Sequence, residues 1–151
     1  MYSLSNKKQK IALIGCGYWG TIIANNLLNL GYRNFYIYDS NIKNSQNLKK
    51  KFKNVTISRT YNDILKNELI KNIFYATPPS KNFSLIKKAL YYKKNIFLEK
   101  PGFDKLSDFN KIKKLNYNYK TLMFGYVYCF NDYIEYIKNI ILKKKLGKLL
   151  Y

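Results

Sequence analysis

The sequence contains no histidine, only two cysteines and only two arginines, Arg33 and Arg59, in 151 residues. Without histidine, and with Cys16 and Cys129 in no C-x-x-C pair, the usual zinc patterns are excluded. The two thiols are expected to be small, reduced and mostly buried. No run of about 18 apolar residues occurs, which excludes a conventional membrane-spanning helix. Residues 1–10 are polar and basic, and the apolar run at 11–14 is too short for a signal-peptide core. The expected location is therefore the cytoplasm. Acidic residues are also scarce: eight against 28 lysines and arginines, a formal charge of +20. Such an excess ordinarily points to nucleic acid. Here nearly all of it is scattered lysine, and arginine, the residue suited to bidentate base recognition, is almost missing. Lysine abounds together with Asn, Ile, Tyr and Phe, as an AT-rich coding bias would produce. Nucleic acid is not the expected partner. Proline, glycine and alanine are few, and no Pro-, Gly- or Ser-rich linker divides the chain.

What is present is a chain 47% hydrophobic and long enough for one packed core. Strand-like and helix-like segments alternate. Residues 11–14 are a short apolar run suited to a buried parallel strand. Residues 19–30 carry Ile22, Ile23, Leu27 and Leu30 at helical spacing, and Gly31 stops them. Residues 34–39 read as a second strand, 44–52 as a lysine-coated helix and 55–58 as a third strand. Residues 61–67 read as a short helical turn with Ile64 and Leu65 inward. A fourth strand at 70–77 is stopped by Pro78-Pro79. A helix over 83–92 follows, then a fifth strand at 95–98. A helix at 106–115 is expected to be capped by Ser107 or a neighbour, with a sixth strand at 122–130 after it. A last helix spans 132–145, with Asp132 near its N-terminus, where a negative charge is favoured. Repeated strand–helix–strand units imply a doubly wound α/β fold of Rossmann type, a parallel sheet with helices on both faces. The domain is expected over residues 10–145, after a basic tail at 1–9.

Gly15-Cys16-Gly17-Tyr18-Trp19-Gly20 matches G-x-G-x-x-G. Alone the pattern is weak, but here it follows a strand and opens a helix, the context it requires. Gly15 suits the tight turn, Gly17 lets a pyrophosphate approach the backbone, and Gly20 lets helix and strand pack closely. The helix N-terminus then offers free N–H groups and a positive dipole end to phosphate. Asp39 ends the second strand, 39 − 20 = 19 residues after Gly20, where an acid meets the adenosine ribose hydroxyls. An acid there favours NAD over NADP. Lys43 and Arg59 keep NADP as an alternative, since either is placed to reach a 2′-phosphate. FAD and S-adenosylmethionine folds use related turns, so the turn alone does not name the ligand.

The second half of the sheet narrows the reading. Ala76-Thr77-Pro78-Pro79-Ser80, a helix, then Asn95-Ile96-Phe97-Leu98-Glu99-Lys100-Pro101 closely resembles the Gfo/Idh/MocA oxidoreductases. The Gly17-Tyr18-Trp19-Gly20 form of the turn, residues 125–131 and the turn at Leu146-Gly147-Lys148-Leu149 agree with it. The resemblance runs from about residue 10 to residue 151. It implies NAD(P) as cofactor, bound by Gly15, Gly17, Tyr18, Trp19, Gly20, Asp39, Thr77, Pro78, Glu99 and Lys100. It implies that Lys100 sits near the nicotinamide and a substrate hydroxyl and assists proton transfer as the catalytic residue. Glu99 would orient Lys100 or meet the nicotinamide ribose. Thr77 and Pro78 would line the cofactor groove, and Pro101 would fix the backbone, with a cis bond before it conceivable in so tight a place.

Two departures from the family stand out. Where it often has a histidine after the two prolines, the helix register puts Asn82. The family's second, largely antiparallel α+β domain is expected to be absent from this chain, with residues 146–151 read as its beginning. The expected function is NAD(P) binding as the cofactor domain of an oxidoreductase, incomplete on its own. Its small-molecule substrate would be a hydroxyl or ketone of a sugar, cyclitol or sugar nucleotide, with no metal, and a partner chain could supply the missing half. A non-catalytic dinucleotide-binding module and, behind it, a basic nucleic-acid-associated protein are the alternatives.

Overall fold

The computed structural model describes residues 10–115 and 121–148. The tail at 1–9 and residues 149–151 at the expected start of a second domain lie outside the described residues. In chain order the elements are β1 (Lys10–Ile14), α1 (Tyr18–Asn29), β2 (Phe35–Tyr38), α2 (Ile42–Lys51), β3 (Val55–Ile57), α3 (Tyr61–Lys66) and β4 (Ile70–Tyr75). They continue with α4 (Pro79–Tyr91), β5 (Asn95–Leu98), α5 (Leu106–Lys114), β6 (Leu122–Phe124), a 3-10 turn (Val127–Phe130) and α6 (Asp132–Leu142). The strands form one sheet in the order β3-β2-β1-β4-β5-β6, and every pairing is parallel. The order reverses direction at β1, so a crevice opens beyond its carboxyl end, between β1 and β4.

Alternation along β1 divides the core into two halves. Ile11 and Leu13 pack on one face with Ile23, Ala24 and Leu27 of α1 and Leu48 of α2. Ala12 and Ile14 pack on the other with Ile64 and Leu65 of α3, Ile86, Ala89 and Leu90 of α4, and Ile112 of α5. Both faces of the central strands are thus covered, which is why they read as unbroken apolar runs. α1 ends in paired backbone bonds, Gly31 N–H to Leu28 and Tyr32 N–H to Leu27, that close its last turn. Leu30 is its C-cap and is exposed rather than part of the apolar face. α2 starts two residues before the lysine-coated stretch expected at 44–52, because the Asn41 side chain accepts from the Lys43 N–H and caps it.

Three further expectations are corrected. β6 stops at Phe124 instead of running to residue 130. Its neighbour β5 ends at Leu98, and after Gly125 donates to the Leu98 carbonyl no pairing partner remains, so the chain curls into the 3-10 turn. Ser107 does not cap α5: the N-cap is Lys105, with no side-chain bond. Cys129 is exposed on the 3-10 turn, and only Cys16 is buried. α6 begins as expected at Asp132, capped by Asn131, but buries no residue: Tyr133, Ile134, Tyr136, Ile137 and Ile141 all face solvent.

Candidate dinucleotide site

The three turn glycines have different reasons to be glycine. Gly15 has φ +91°, and a Cβ on it would run into the Ala76 carbonyl and come within 3.3 Å of the Thr77 methyl. A Cβ on Gly20 would strike the Gly15 carbonyl. Its close neighbour is therefore the turn itself, with the β-carbon of Ala76 a little further away. Both glycines are demanded by the fold. A Cβ on Gly17 would meet nothing within 4 Å. No protein atom accounts for Gly17, and open space lies where a ligand's phosphates would approach the start of α1. That helix start has no side-chain cap, as at α4 and α5 and unlike α2, α3 and α6, which Asn41, Thr60 and Asn131 cap. Its first N–H groups and positive dipole end are available to an anion. The residues present therefore fit a dinucleotide.

Asp39 stands just past the end of β2, and its carboxylate is already engaged. It accepts from the Cys16 N–H and the Asn41 N–H, each at 2.8 Å, and from the Asn44 carboxamide at 3.3 Å. The acid thus ties β2 to the glycine turn, a structural duty the sequence did not show. A carboxylate has about four acceptor sites, so one remains for a ribose hydroxyl. Cys16, between the glycines, is buried; burial pushes its thiol up to about 11, offset in part by the Ser45 hydroxyl at 3.7 Å. Below that pH little reactive thiolate exists. A thiol-specific disulfide reagent at pH 8 is therefore expected to label one thiol rapidly, exposed Cys129, with Cys16 reacting only after denaturation or far more slowly. Two fast thiols in the native protein would contradict this burial.

On the other side of the crevice the chain leaves β4 through Ala76, whose N–H donates to the Ile14 carbonyl. Thr77 follows, half-buried. Pro78 is the N-cap of α4 and Pro79 its first residue, the position where a missing N–H costs nothing. Glu99 donates its N–H to the Tyr75 carbonyl at 2.9 Å, which fixes the start of the Glu-Lys-Pro segment beside β4. The Glu99 carboxylate accepts from the Lys100 backbone N–H at 3.3 Å. It orients Lys100 through the main chain, not through the ammonium. The Lys100–Pro101 peptide is cis. The Lys100 ammonium lies 5.9 Å from the centre of the Trp19 ring, in cation–π range, and Tyr18 meets that indole edge-on at 5.7 Å. Among the described residues Lys100 forms no ion pair. Tyr61 and Tyr75 share a hydroxyl contact of 2.7 Å beneath this region, but burial raises both well above the ordinary range and holds them neutral.

The fold therefore gathers Gly15 to Gly20, Asp39, Thr77, Pro78, Glu99 and Lys100 at the carboxyl ends of β1, β2, β4 and β5, where open α/β sheets bind ligands. Sequence reasoning missed two groups. One is Asn44, which holds Asp39; an asparagine on a lysine-rich helix gave no signal. The other is Gly125, where a Cβ would sit 3.2 Å from the Glu99 carboxylate. A separate apolar groove of about 380 Å³, lined by residues including Pro101, Phe103, Phe109 and Phe124, includes none of the turn residues.

A parallel sheet with a glycine turn at its switch point, an uncapped helix above it and an acid ending the next strand defines a dinucleotide-binding protein of the Rossmann type. A family model described as "Oxidoreductase family, NAD-binding Rossmann fold" matches residues 9–126, and the chain belongs to this Gfo/Idh/MocA family. No curated protein matches it by sequence. Among solved structures it is similar to myo-inositol 2-dehydrogenase from Lactobacillus plantarum, with a TM-score of 0.82 and 22% identity over 95% of this chain and 43% of that one. Scyllo-inositol dehydrogenase from Lactobacillus casei, solved with NAD(H) and scyllo-inositol, gives 0.80 and 20% over 93% and 43%. An oxidoreductase from Desulfitobacterium hafniense, described as NADPH-dependent, gives 0.82 and 19% over 95% and 42%. The chain thus spans about two fifths of the length of these proteins. Among the described residues no helix is long and apolar enough to cross a membrane, and no cluster of His, Cys, Asp or Glu is arranged to hold a metal.

Proposed function

We propose that the chain binds NAD(H) across the glycine turn as the cofactor domain of a dehydrogenase that interconverts a hydroxyl and a ketone on a sugar, cyclitol or sugar nucleotide. The observation that carries this reading is the unfilled space at Gly17, before an uncapped helix and between Asp39 and Lys100. Pyrophosphate would rest on the N–H groups of the first turn of α1, and the adenosine ribose on the remaining acceptor site of Asp39. Tyr18, Trp19, Thr77, Pro78 and Glu99 would line the groove. The nicotinamide supplies hydride transfer when bound. Lys100 would lie beside the reacting carbon's oxygen, where its ammonium stabilises the developing alkoxide and exchanges its proton. Of these substrate classes the cyclitol is the one named for the inositol dehydrogenases above and is brought here by likeness; the sugar and sugar nucleotide come from the family resemblance.

Substrate positioning is proposed to come from a second domain, whether joined to this chain or supplied by a partner. It would seat on the 3-10 turn and α6, where Tyr128, Phe130, Tyr133 and Tyr136 are each more than three fifths exposed. In this division residues 10–145 form the cofactor domain and 146–151 lead into the next.

Cofactor preference tests the site. NAD(H) is expected to bind more tightly than NADP(H), because a 2′-phosphate would meet the Asp39 carboxylate. Asp39→Ala should weaken NAD(H) by on the order of tenfold, equivalent to about 1.4 kcal/mol, and narrow the gap between the cofactors. It should weaken both to some degree, since the Cys16 N–H loses its partner. Calorimetric titration that finds NADP(H) preferred by the unaltered protein would refute the placement of the ribose at Asp39.

A further inference from the structure

Asn82 occupies an unusual place. It lies on the core face of α4, in register with Ile86, Ala89 and Leu90, and is 1% exposed. An asparagine is poorly suited to a helix interior and costly to bury unless its carboxamide is bonded at both ends. Here both ends have a partner. The Nδ2 group donates to the carbonyl of Gly102, and Oδ1 accepts from the Thr77 hydroxyl. It therefore joins the loop after β4 to the loop after Lys100, the two segments that flank the nicotinamide end of the proposed groove.

The polarity of this chain of bonds is fixed from one end. A backbone carbonyl can only accept, so the carboxamide must turn its NH2 toward Gly102. Oδ1 then faces Thr77, and Thr77 must donate. A threonine hydroxyl has one proton and two lone pairs. With Asn82 almost fully buried, water is poorly placed to replace Thr77 as the donor, and an unmet buried acceptor is costly. The Thr77 hydroxyl is thus spent as a donor and has only acceptor capacity left for anything else.

We infer that Asn82 is a positioning residue that fixes the Thr77 hydroxyl as an acceptor, so that Thr77 recognises a hydrogen-bond donor on the nicotinamide half of the dinucleotide. The inference rests on the cofactor reading above. Two groups there have this chemistry: the carboxamide NH2 and the ribose hydroxyls. Thr77 is half-buried at the rim of the turn, its methyl on the side where a Cβ on Gly15 would lie and its hydroxyl held by Asn82.

The test is calorimetric titration of the full chain, unaltered and as Thr77→Val and Thr77→Ser. Three probes are used: NADH, the reduced 3-acetylpyridine analogue, in which a methyl replaces the carboxamide NH2, and ADP-ribose, which lacks the nicotinamide. Valine keeps the methyl packing and removes the acceptor together with the donor to Asn82, so thermal melting accompanies each titration. Thr77→Val is expected to weaken NADH about tenfold, and Thr77→Ser to restore it. A loss for NADH alone, with the other two probes unchanged, identifies the carboxamide as the donor. An equal loss for all three, with the melting temperature of the unaltered chain retained, identifies a ribose hydroxyl. A loss confined to NADH is not what general loosening of the fold would give, and an equal loss with a lowered melting temperature is such loosening and overturns the inference. If Thr77→Val binds NADH as the unaltered chain does, or serine fails to rescue, the inference is overturned while the cofactor site stands. If the unaltered chain binds no NADH, the cofactor reading itself fails and takes the inference with it.

Discussion

Gly17→Val is expected to abolish measurable NAD(H) binding while the protein stays folded. The side chain would project into space where no protein atom lies within 4 Å, so the fold has nothing to clash with. Bound phosphate would have to occupy that same space. Hydrogen bonds to a charged group are worth about 1.5–3 kcal/mol each, so displacing the pyrophosphate from two N–H groups costs on the order of 10²- to 10⁴-fold in affinity. Gly20→Val supplies the contrast. Its Cβ would meet the Gly15 carbonyl, so it should destabilise the turn and lower the melting temperature as well as binding. Titration with NADH, paired with thermal melting, separates the two. Normal NADH binding by Gly17→Val would mean that the ligand sits elsewhere.

Lys100→Ala is expected to divide binding from turnover. Its ammonium rests over Trp19 at 5.9 Å in a half-exposed setting, an interaction worth about 0.5–1 kcal/mol. Losing it should change NADH affinity by no more than about fivefold. In a protein that joins this chain to a substrate-binding domain, the same change should lower turnover by on the order of 10²- to 10⁴-fold, the range for a positioned acid or base. Residues 1–151 alone should bind cofactor and turn over little, because hydride transfer needs the substrate carbon held about 3–3.5 Å from the nicotinamide and nothing described here holds it. The assay follows NADH absorbance against sugars, inositols and sugar nucleotides. Robust turnover by residues 1–151 that survives Lys100→Ala would refute both the role of Lys100 and the need for a second domain.

Much of this was open to reading from the chain itself. The apolar runs at 11–14 and 96–98 are short, continuous and end at a glycine or a charged turn. Such a run has few alternatives to a strand buried on both faces. The glycine turn, Asp39 and Glu99-Lys100-Pro101 could be placed because each ends a strand, and strand ends of a parallel sheet converge on one side whatever the loops do. Elements at the sheet's far edge were harder. Residues 122–130 have the composition of one long strand, but strand length depends on a neighbour to pair with, and β5 stops at Leu98. Ser107 has the chemistry of a cap, yet the backbone enters α5 two residues earlier.

The sequence by itself determined the parallel α/β architecture, the glycine turn and the placement of Asp39 and Lys100, because these follow from local periodicity and from residue types tied to one backbone geometry. Only the tertiary structure decided which side chains meet across distant segments. It placed Lys100 over Trp19 and the Glu99 carboxylate on the Lys100 backbone. It also showed Asp39 holding the turn it faces, and Asn82 bonded between Thr77 and Gly102. The contacts of Asp39 with Cys16, Asn82 with Gly102 and Lys100 with Trp19 join residues from about 20 to 80 positions apart. They form only once the sheet has set its register, and no local pattern encodes the partner of a hydrogen bond.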